Sequence, residues 1–237
     1  MCSVVVRWSQ GQPVRILALR DELVGREFDD PAGWWPDLPG VVGGRDRVAG
    51  GTWCATRIET GTTALVVNRP EKRTADAGAP SRGVLPLLGA AHGADWISRV
   101  ELGGMAAFAL VLATPAGLTT WDFDGDELTT LAHPEGTTMI TSGGAEDLRA
   151  ERHLAGFTAA AFPHGWRRLV QSGLPSDDPG ALVVRHEHEG RVFATVFGQL
   201  VEAEPGRLHL EYSRRPWTTG PWAGFDAPGQ RSGDDER

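Results

Sequence analysis

The sequence predicts an α+β fold in which two antiparallel sheets form a sandwich between layers of helix. Three observations carry this. β-rich runs come in blocks near the start, the middle and the end, with helix-forming stretches between the blocks, and segregation of this kind argues against alternating βαβ units. Clusters of Gly, Pro, Asn and Asp break the runs at spacings that suit hairpins. The 237 residues, 41% of them hydrophobic, suffice for one substantial core. A single domain over residues 1–222 is expected, followed by a disordered tail over 223–237.

Ser3–Trp8 and Arg15–Leu19 have strand character, with a hairpin loop at Ser9–Pro13. Asp29–Gly51 is rich in Gly, Pro, Asp and Trp without a sustained period, which predicts a long, ordered surface loop. Thr52–Ile58 and Thr62–Asn68 predict a second hairpin turned at Glu59–Gly61, and the polar stretch Pro70–Pro80 is expected to be mobile. Ser81 and Asp95 stand where helix N-caps belong, ahead of helices at Gly83–Ala91 and Trp96–Glu101. From Phe108 to Thr141, turns at Thr114–Gly117, Asp122–Asp126 and His133–Gly136 break β-rich runs into an antiparallel meander. Helices at Ala145–Ala161 and Trp166–Gln171, then strands at Ala181–His188, Val192–Glu202 and Arg207–Tyr212, complete the pattern.

Charge and composition narrow the function classes. A net charge of -8 argues against a general nucleic-acid binder, which needs a basic face for phosphates. The longest apolar stretches, Met105–Thr114 and Ala155–Phe162, fall well short of the roughly 18 residues of a membrane span. The start MCSVVVRW lacks the organisation of a secretory leader, so cytoplasmic residence is expected. Cys2 and Cys54 are too few for a disulfide scaffold and are expected to be free thiols. The sequence specifies no oligomeric state.

Cys2 carries the most chemistry. Removal of the initiator Met would leave a thiol and a free α-amine on one residue at the end of a strand. The thiol titrates near ~8.5 and the amine near ~7.7 to 8.0, so the amine can take up the thiol proton at neutral pH. A Cys at this position is a weak signal alone, and its context strengthens it. The opening MCSVVVRW, ILALRDEL at Ile16–Leu23, VVGGRDRVAGGTWCATR at Val41–Arg57, VVNRP at Val66–Pro70 and SRG at Ser81–Gly83 resemble, in order and spacing, the NRDE family, also called the Transport and Golgi organisation 2 family. GGRD followed by GGTW is the most diagnostic stretch. Of the Asn-Arg-Asp-Glu run that names the family, this chain has Leu19-Arg20-Asp21-Glu22, so the first position departs. Gly103–Thr114 and LEYSRRPW at Leu210–Trp217 extend the resemblance toward the C-terminus.

The resemblance implies an Ntn-hydrolase-like αββα fold and a likeness to cysteine amidases of linear amides, the choloylglycine hydrolases among them. It implies Cys2 as nucleophile, Arg20 and Asp21 flanking and orienting it, and Asn68 donating to the oxyanion. The chemistry is coherent: a buried Asp21 accepts from the α-ammonium group, Arg20 favours the thiolate, and Asn68 supplies a neutral amide donor. On chemistry alone, a structural ion pair between Arg20 and Asp21 is equally open. The superfamily's amidases also use a second Asn and a later Arg, which the likeness places near Ser142–Gly144 and Thr195–Val196. This chain has neither there, so the Ser142 hydroxyl or the N–H groups of Gly143 and Gly144 would have to substitute.

Two functional readings follow. One is a cofactor-free cysteine hydrolase acting on an amide or related acyl bond. The other is a binding or carrier protein for an acyl or lipid-like small molecule or for haem. The second follows from the haem-handling, Golgi and lipid associations of animal relatives, with Cys2 as a soft ligand for haem iron. A scaffold that has lost both roles is the third possibility. Other signals have plainer accounts. His186 and His188 share one side of a strand without a third metal ligand. Asp122, Asp124 and Asp126 lack the pattern of a calcium loop and suit a turn. Trp34, Trp35 and Trp53 suit packing, with a pocket-lining role as the alternative. Cys54 is expected to pack as a small hydrophobe.

Overall fold

The computed structural model describes residues 2–70, 75–144 and 147–225. In chain order its elements are β1 (Ser3–Trp8), β2 (Val14–Leu23), β3 (Phe28–Ala32), β4 (Val41–Asp46), β5 (Cys54–Arg57), β6 (Thr62–Asn68) and α1 (Val84–His92). Then come β7 (Phe108–Thr114), β8 (Gly117–Phe123), β9 (Leu128–His133), β10 (Gly136–Thr141), α2 (Leu148–Ala159) and α3 (His164–Gln171). The last are β11 (Arg185–His188), β12 (Arg191–Glu204), β13 (Arg207–Ser213) and β14 (Ala223–Phe225). One sheet runs β10-β1-β2-β12-β13-β14 with β11 on β12; the other runs β3 to β9 in sequence order. The paired strands are antiparallel throughout.

Strand alternation builds the layers. Val4 and Val6 of β1, Ile16 and Ala18 of β2, Leu65 and Val67 of β6, and Ala109 and Val111 of β7 face one another in the inter-sheet core. Their neighbours turn the other way. Val5, Leu17 and Leu19 pack against Phe157 of α2 and Trp166 of α3, whereas Ala64, Val66 and Leu110 pack against Leu85, Leu87 and Ala90 of α1. The result is the predicted helix–sheet–sheet–helix sandwich, with each fully buried aliphatic side chain contributing about 1.5–3 kcal/mol against conformational entropy.

Several expectations need correction. Residues 29–51, expected to be a loop, contain most of β3 and all of β4. The glycines there serve close packing: a Cβ at Gly44 would lie 2.4 Å from the Trp53 ring, and one at Gly51 would lie 2.5 Å from the Gly83 backbone. β2 runs on past Leu19 to Leu23, so Arg20, Asp21 and Glu22 are strand residues. Ser81 is not an N-cap; Gly83 occupies the cap position of α1 and Ser81 Oγ accepts from the Gly83 N–H. The second helix shrinks to one 3-10 turn at Ile97–Arg99, with Trp96 at its cap instead of Asp95; β-branched Ile97 and Val100 are poor propagators of so short a helix.

The meander ends at β9, because β10 crosses to the other sheet and pairs with β1. Of the strand expected over 181–188, β11 keeps only Arg185–His188, since the Val184 N–H is drawn to Thr195 Oγ1. The expected helix over 145–161 is α2, capped by Asp147 accepting from the Arg149 N–H; residues 145 and 146 lie outside the described residues. Ala223–Phe225, assigned to the tail from sequence, adds β14 to β13, and 226–237 lie outside the described residues. Within 70–80, residues 71–74 lie outside them too, while the Asp76 N–H bonds Gly104 O. No helix among the described residues is long and apolar enough to cross a membrane.

Candidate active site

Alternation along β1 and β2 also distributes the polar residues at the open end of the sandwich. Cys2 is in phase with Val4 and Val6 and belongs to the inter-sheet core, and Arg20 is in phase with Ile16 and Ala18. Ser3 and Asp21 are in phase with Val5 and Leu19 and meet the helix layer. Adjacent residues of one strand therefore serve two networks, and the ion pair that Arg20 and Asp21 were open to forming is absent.

On the inner side, Arg20 Nη2 donates to Asp46 Oδ2 at 2.8 Å and lies 3.5 Å from Glu22. Its guanidinium sits 4.4 Å from the Trp53 ring centre and 5.1 Å from that of Phe28. Trp53, Phe28 and Phe197 make mutual edge contacts with centroids 5.3–5.6 Å apart. Asp46 also accepts from Arg26 and from the N–H groups of Val48 and Ala49. Burial works against its charge, and those bonds outweigh burial and hold its carboxyl below the ordinary value. The GGRD and GGTW motifs thus supply one assembly: Asp46 fixes Arg20, Gly44 makes room for the Trp53 ring, and Trp53 covers the guanidinium.

On the outer side, Arg149 of α2 is 0% exposed, lies 3.3 Å from Asp21 Oδ2 and donates to Ser3 Oγ at 3.0 Å. Thr195 Oγ1 donates to Asp21 Oδ1 at 2.6 Å. A β-bulge between Thr195 and Phe197 makes this contact: Thr195 pairs with Asp21 while Phe197 pairs with Arg20, so residues two apart face opposite sides. Burial pushes the Asp21 carboxyl up to about 6 against the opposing pull of Thr195 and Arg149.

Cys2 stands between the networks. Its backbone N–H donates to Ser142 Oγ at 2.7 Å, the Ser142 N–H returns a bond to Cys2 O at 3.2 Å, and Cys2 Sγ lies 3.9 Å from Asp21 O. Burial raises the Cys2 thiol above its ordinary value and the Asp21 charge adds to this, while Arg20 opposes it. Cys2, Arg20, Asp21 and Asn68 line a single cavity of about 120 Å³ with Trp53, Glu22, Arg26 and Asp46. Asn68, at the end of β6, is in phase with Val66, and both reach the cavity where β5 parts from β6. Arg69 instead bonds Asp122 of its own sheet and reaches across to Thr141 O of the other.

The four residues singled out from sequence are therefore neighbours. Those that reasoning left without a role are Arg149 and Thr195; Trp53, expected to pack with pocket lining as the alternative, lines the cavity. Arg149 lies two helical turns from buried Phe157 on the same face of α2, and an Arg in phase with an apolar stripe is the signal that could have found it. Thr195 and Ser142 occupy the places where an Arg and an Asn were sought. Trp34 stacks on Arg45 and Trp35 joins the cluster around α1; neither lines the cavity. Among the described residues no group of three or more His, Cys, Asp or Glu side chains could hold a metal ion.

Comparison with known proteins agrees with this architecture. A Caenorhabditis elegans N-acylethanolamine-hydrolyzing acid amidase ortholog has a similar structure, with a TM-score of 0.52 and 13% identity over 87% of this chain and 94% of that one. That likeness establishes the Ntn-hydrolase fold. No curated protein sequence matches the chain. The family model for Transport and Golgi organisation 2 matches residues 1–167, which include β1 through α2 and hold Cys2, Arg20, Asp21, Asp46, Asn68 and Arg149 but not Thr195, and the chain belongs to that family.

Proposed function

We propose that the protein is an N-terminal-cysteine hydrolase acting on an amide or related acyl bond. The observation that carries this reading is the convergence of Cys2, Arg20, Asp21 and Asn68 on one small cavity at the end of β1. Loss of Met1 turns the Cys2 N–H that now bonds Ser142 into an α-amine. In its neutral form this amine is the base, and Ser142 Oγ and the neighbouring Asp21 charge stabilise the ammonium group that forms when it takes up a proton. Burial keeps the resting thiol neutral, so its proton passes to the amine as sulfur attacks the carbonyl carbon. The carbonyl oxygen takes the electron pair, and Asn68 donates to it. Collapse breaks the C–N bond, the ammonium returns its proton to the leaving amine, and a thioester remains on Cys2. Water attacks that thioester and releases the acid and the free thiol. Arg149 and Thr195 are positioning residues in this scheme, since they act through Asp21.

The carrier reading for haem or a lipid-like ligand finds its support elsewhere. A recess of about 430 Å³ lined by Arg69, Asp122, His133, Leu131, Met139 and Ile140 is within the ~300–1,000 Å³ of ligand pockets. The cavity at Cys2 is far smaller and charged, which favours a small polar group there.

The test is the intact mass of the purified protein before and after treatment with chloroacetamide at neutral pH. Met1 should be absent, one adduct should form rapidly, Cys2→Ala should abolish it and Cys54→Ala should not. Retained Met1, or equally slow labelling of both thiols, would overturn the reading.

A further inference from the structure

The cavity beside Cys2 holds hydrogen-bond donors that its walls leave unused. Its carboxylates are taken: Asp46 accepts from Arg20, Arg26, Val48 and Ala49, Glu22 accepts from the Leu23 N–H beside two arginines, and Asp21 accepts from Thr195 and Arg149. Two donors remain. Arg20 Nη1 and Trp53 Nε1 are buried and bond to nothing among the described residues, and both side chains line this cavity. The guanidinium of Arg20 lies 4.4 Å from the Trp53 ring centre, so the two side chains are neighbours in the cavity wall. The other buried side-chain atoms without partners, on Trp8, Arg167, Gln199 and Trp222, belong to residues that do not line it. Buried donors are strongly disfavoured unless something supplies an acceptor.

We propose that this cavity binds a carboxylate through Arg20 and Trp53, and that the substrates of the Cys2 site are acyl compounds bearing a carboxylate a few atoms from the scissile carbonyl. Charge favours a carboxylate over a neutral carbonyl, because hydrogen bonds from a guanidinium to an anionic oxygen are about twice as strong as neutral ones. Size agrees: about 120 Å³ takes a carboxylate with one or two carbons and leaves the remainder of the substrate outside. Geometry agrees too, since Asp46 occupies one terminal nitrogen of Arg20 and leaves the other free to share a two-oxygen acceptor with the indole N–H. The substrate class rests on the hydrolase reading; carboxylate binding does not.

The experiment uses the full chain carrying Cys2→Ala, so that nothing is turned over, with isotope-labelled tryptophan indole nitrogens. The Trp53 resonance is assigned from its loss in Trp53→Phe. N-acetylglycine and its neutral isostere N-acetylglycinamide are titrated separately. N-acetylglycine should move the Trp53 indole signal saturably, and the amide should bind roughly tenfold more weakly or worse. Equal shifts with the two probes, or no shift at millimolar concentrations of either, would overturn the proposal and leave those donors to water. Binding by Cys2→Ala alongside an unreactive Cys2 in the wild-type protein would sink the hydrolase reading and the substrate class, while the carboxylate site would stand.

Discussion

The protein has two buried cysteines facing the same inter-sheet core, and their surroundings differ in kind. Cys54 lies in the middle of a sheet, 1% exposed, enclosed by Leu65, Val67 and Gln199, and burial drives its thiol far above the ordinary range. Cys2 lies where β1 begins, 9% exposed, at the wall of a cavity, with Arg20 to one side, Asp21 to the other and Ser142 on its backbone. Both thiols are neutral at rest. What separates them is the supply of partners for a charge that appears during reaction. At Cys54 there is an amide from Gln199; at Cys2 there are a guanidinium, a carboxylate, an unpartnered indole N–H and an amine that processing would release. Burial alone makes a cysteine inert; burial beside polar groups held in place by others makes a site.

The largest break in this contrast would come from Arg149→Met. The change removes the cation that offsets a carboxylate buried in the same layer, and breaking a buried pair from one side costs about 3–5 kcal/mol. Chemical denaturation of the variant should show a loss of that size. Its pH behaviour should shift as well. Asp21 titrates near 6, and Arg149 is one of the groups holding it down, so activity that needs the Asp21 charge should fall as pH drops through about 6 in the wild type and at a higher pH in the variant. The sign for stability is fixed by the same shift. A carboxyl raised above its unfolded value contributes stability that is present below about 4 and is lost as pH rises through about 6. An acid limb unmoved by Arg149→Met would remove Arg149 from any positioning role and leave it structural.

Cys54→Ala should cost less, about 2 kcal/mol, from the lost sulfur and a buried Gln199 amide left without its partner. It should leave labelling of Cys2 unchanged. Slower labelling would mean that the two cysteine environments are coupled through the core.

Much of this contrast was legible in the sequence, and the remainder was not for a physical reason. The family motifs led to Cys2, Arg20, Asp21 and Asn68, and strand alternation alone predicts that Arg20 and Asp21 face opposite ways once β2 is known to extend past Leu19. The sequence reading ended that strand at Leu19, four residues too early. Gly43 and Gly44 suggested a loop because a glycine required by close packing looks the same as one required by a turn. Arg149 and Thr195 were out of reach for another reason: each meets Asp21 across more than a hundred residues of chain, one through the docking of a helix and the other through a bulge. Short-range patterns encode neither.

The smallest effect should come from Ser142→Ala. Its hydroxyl accepts the Cys2 N–H, and a single hydrogen bond of this kind is worth about 1 kcal/mol of stability in the unprocessed chain. In the processed chain the same oxygen accepts from a charged ammonium group, where the bond strengthens as the proton arrives during attack. The variant should therefore lose roughly tenfold in kcat with little change in KM, because the interaction grows between ground state and transition state. A rise in KM at unchanged kcat would place Ser142 in substrate binding and leave the amine of Cys2 without the partner proposed for it.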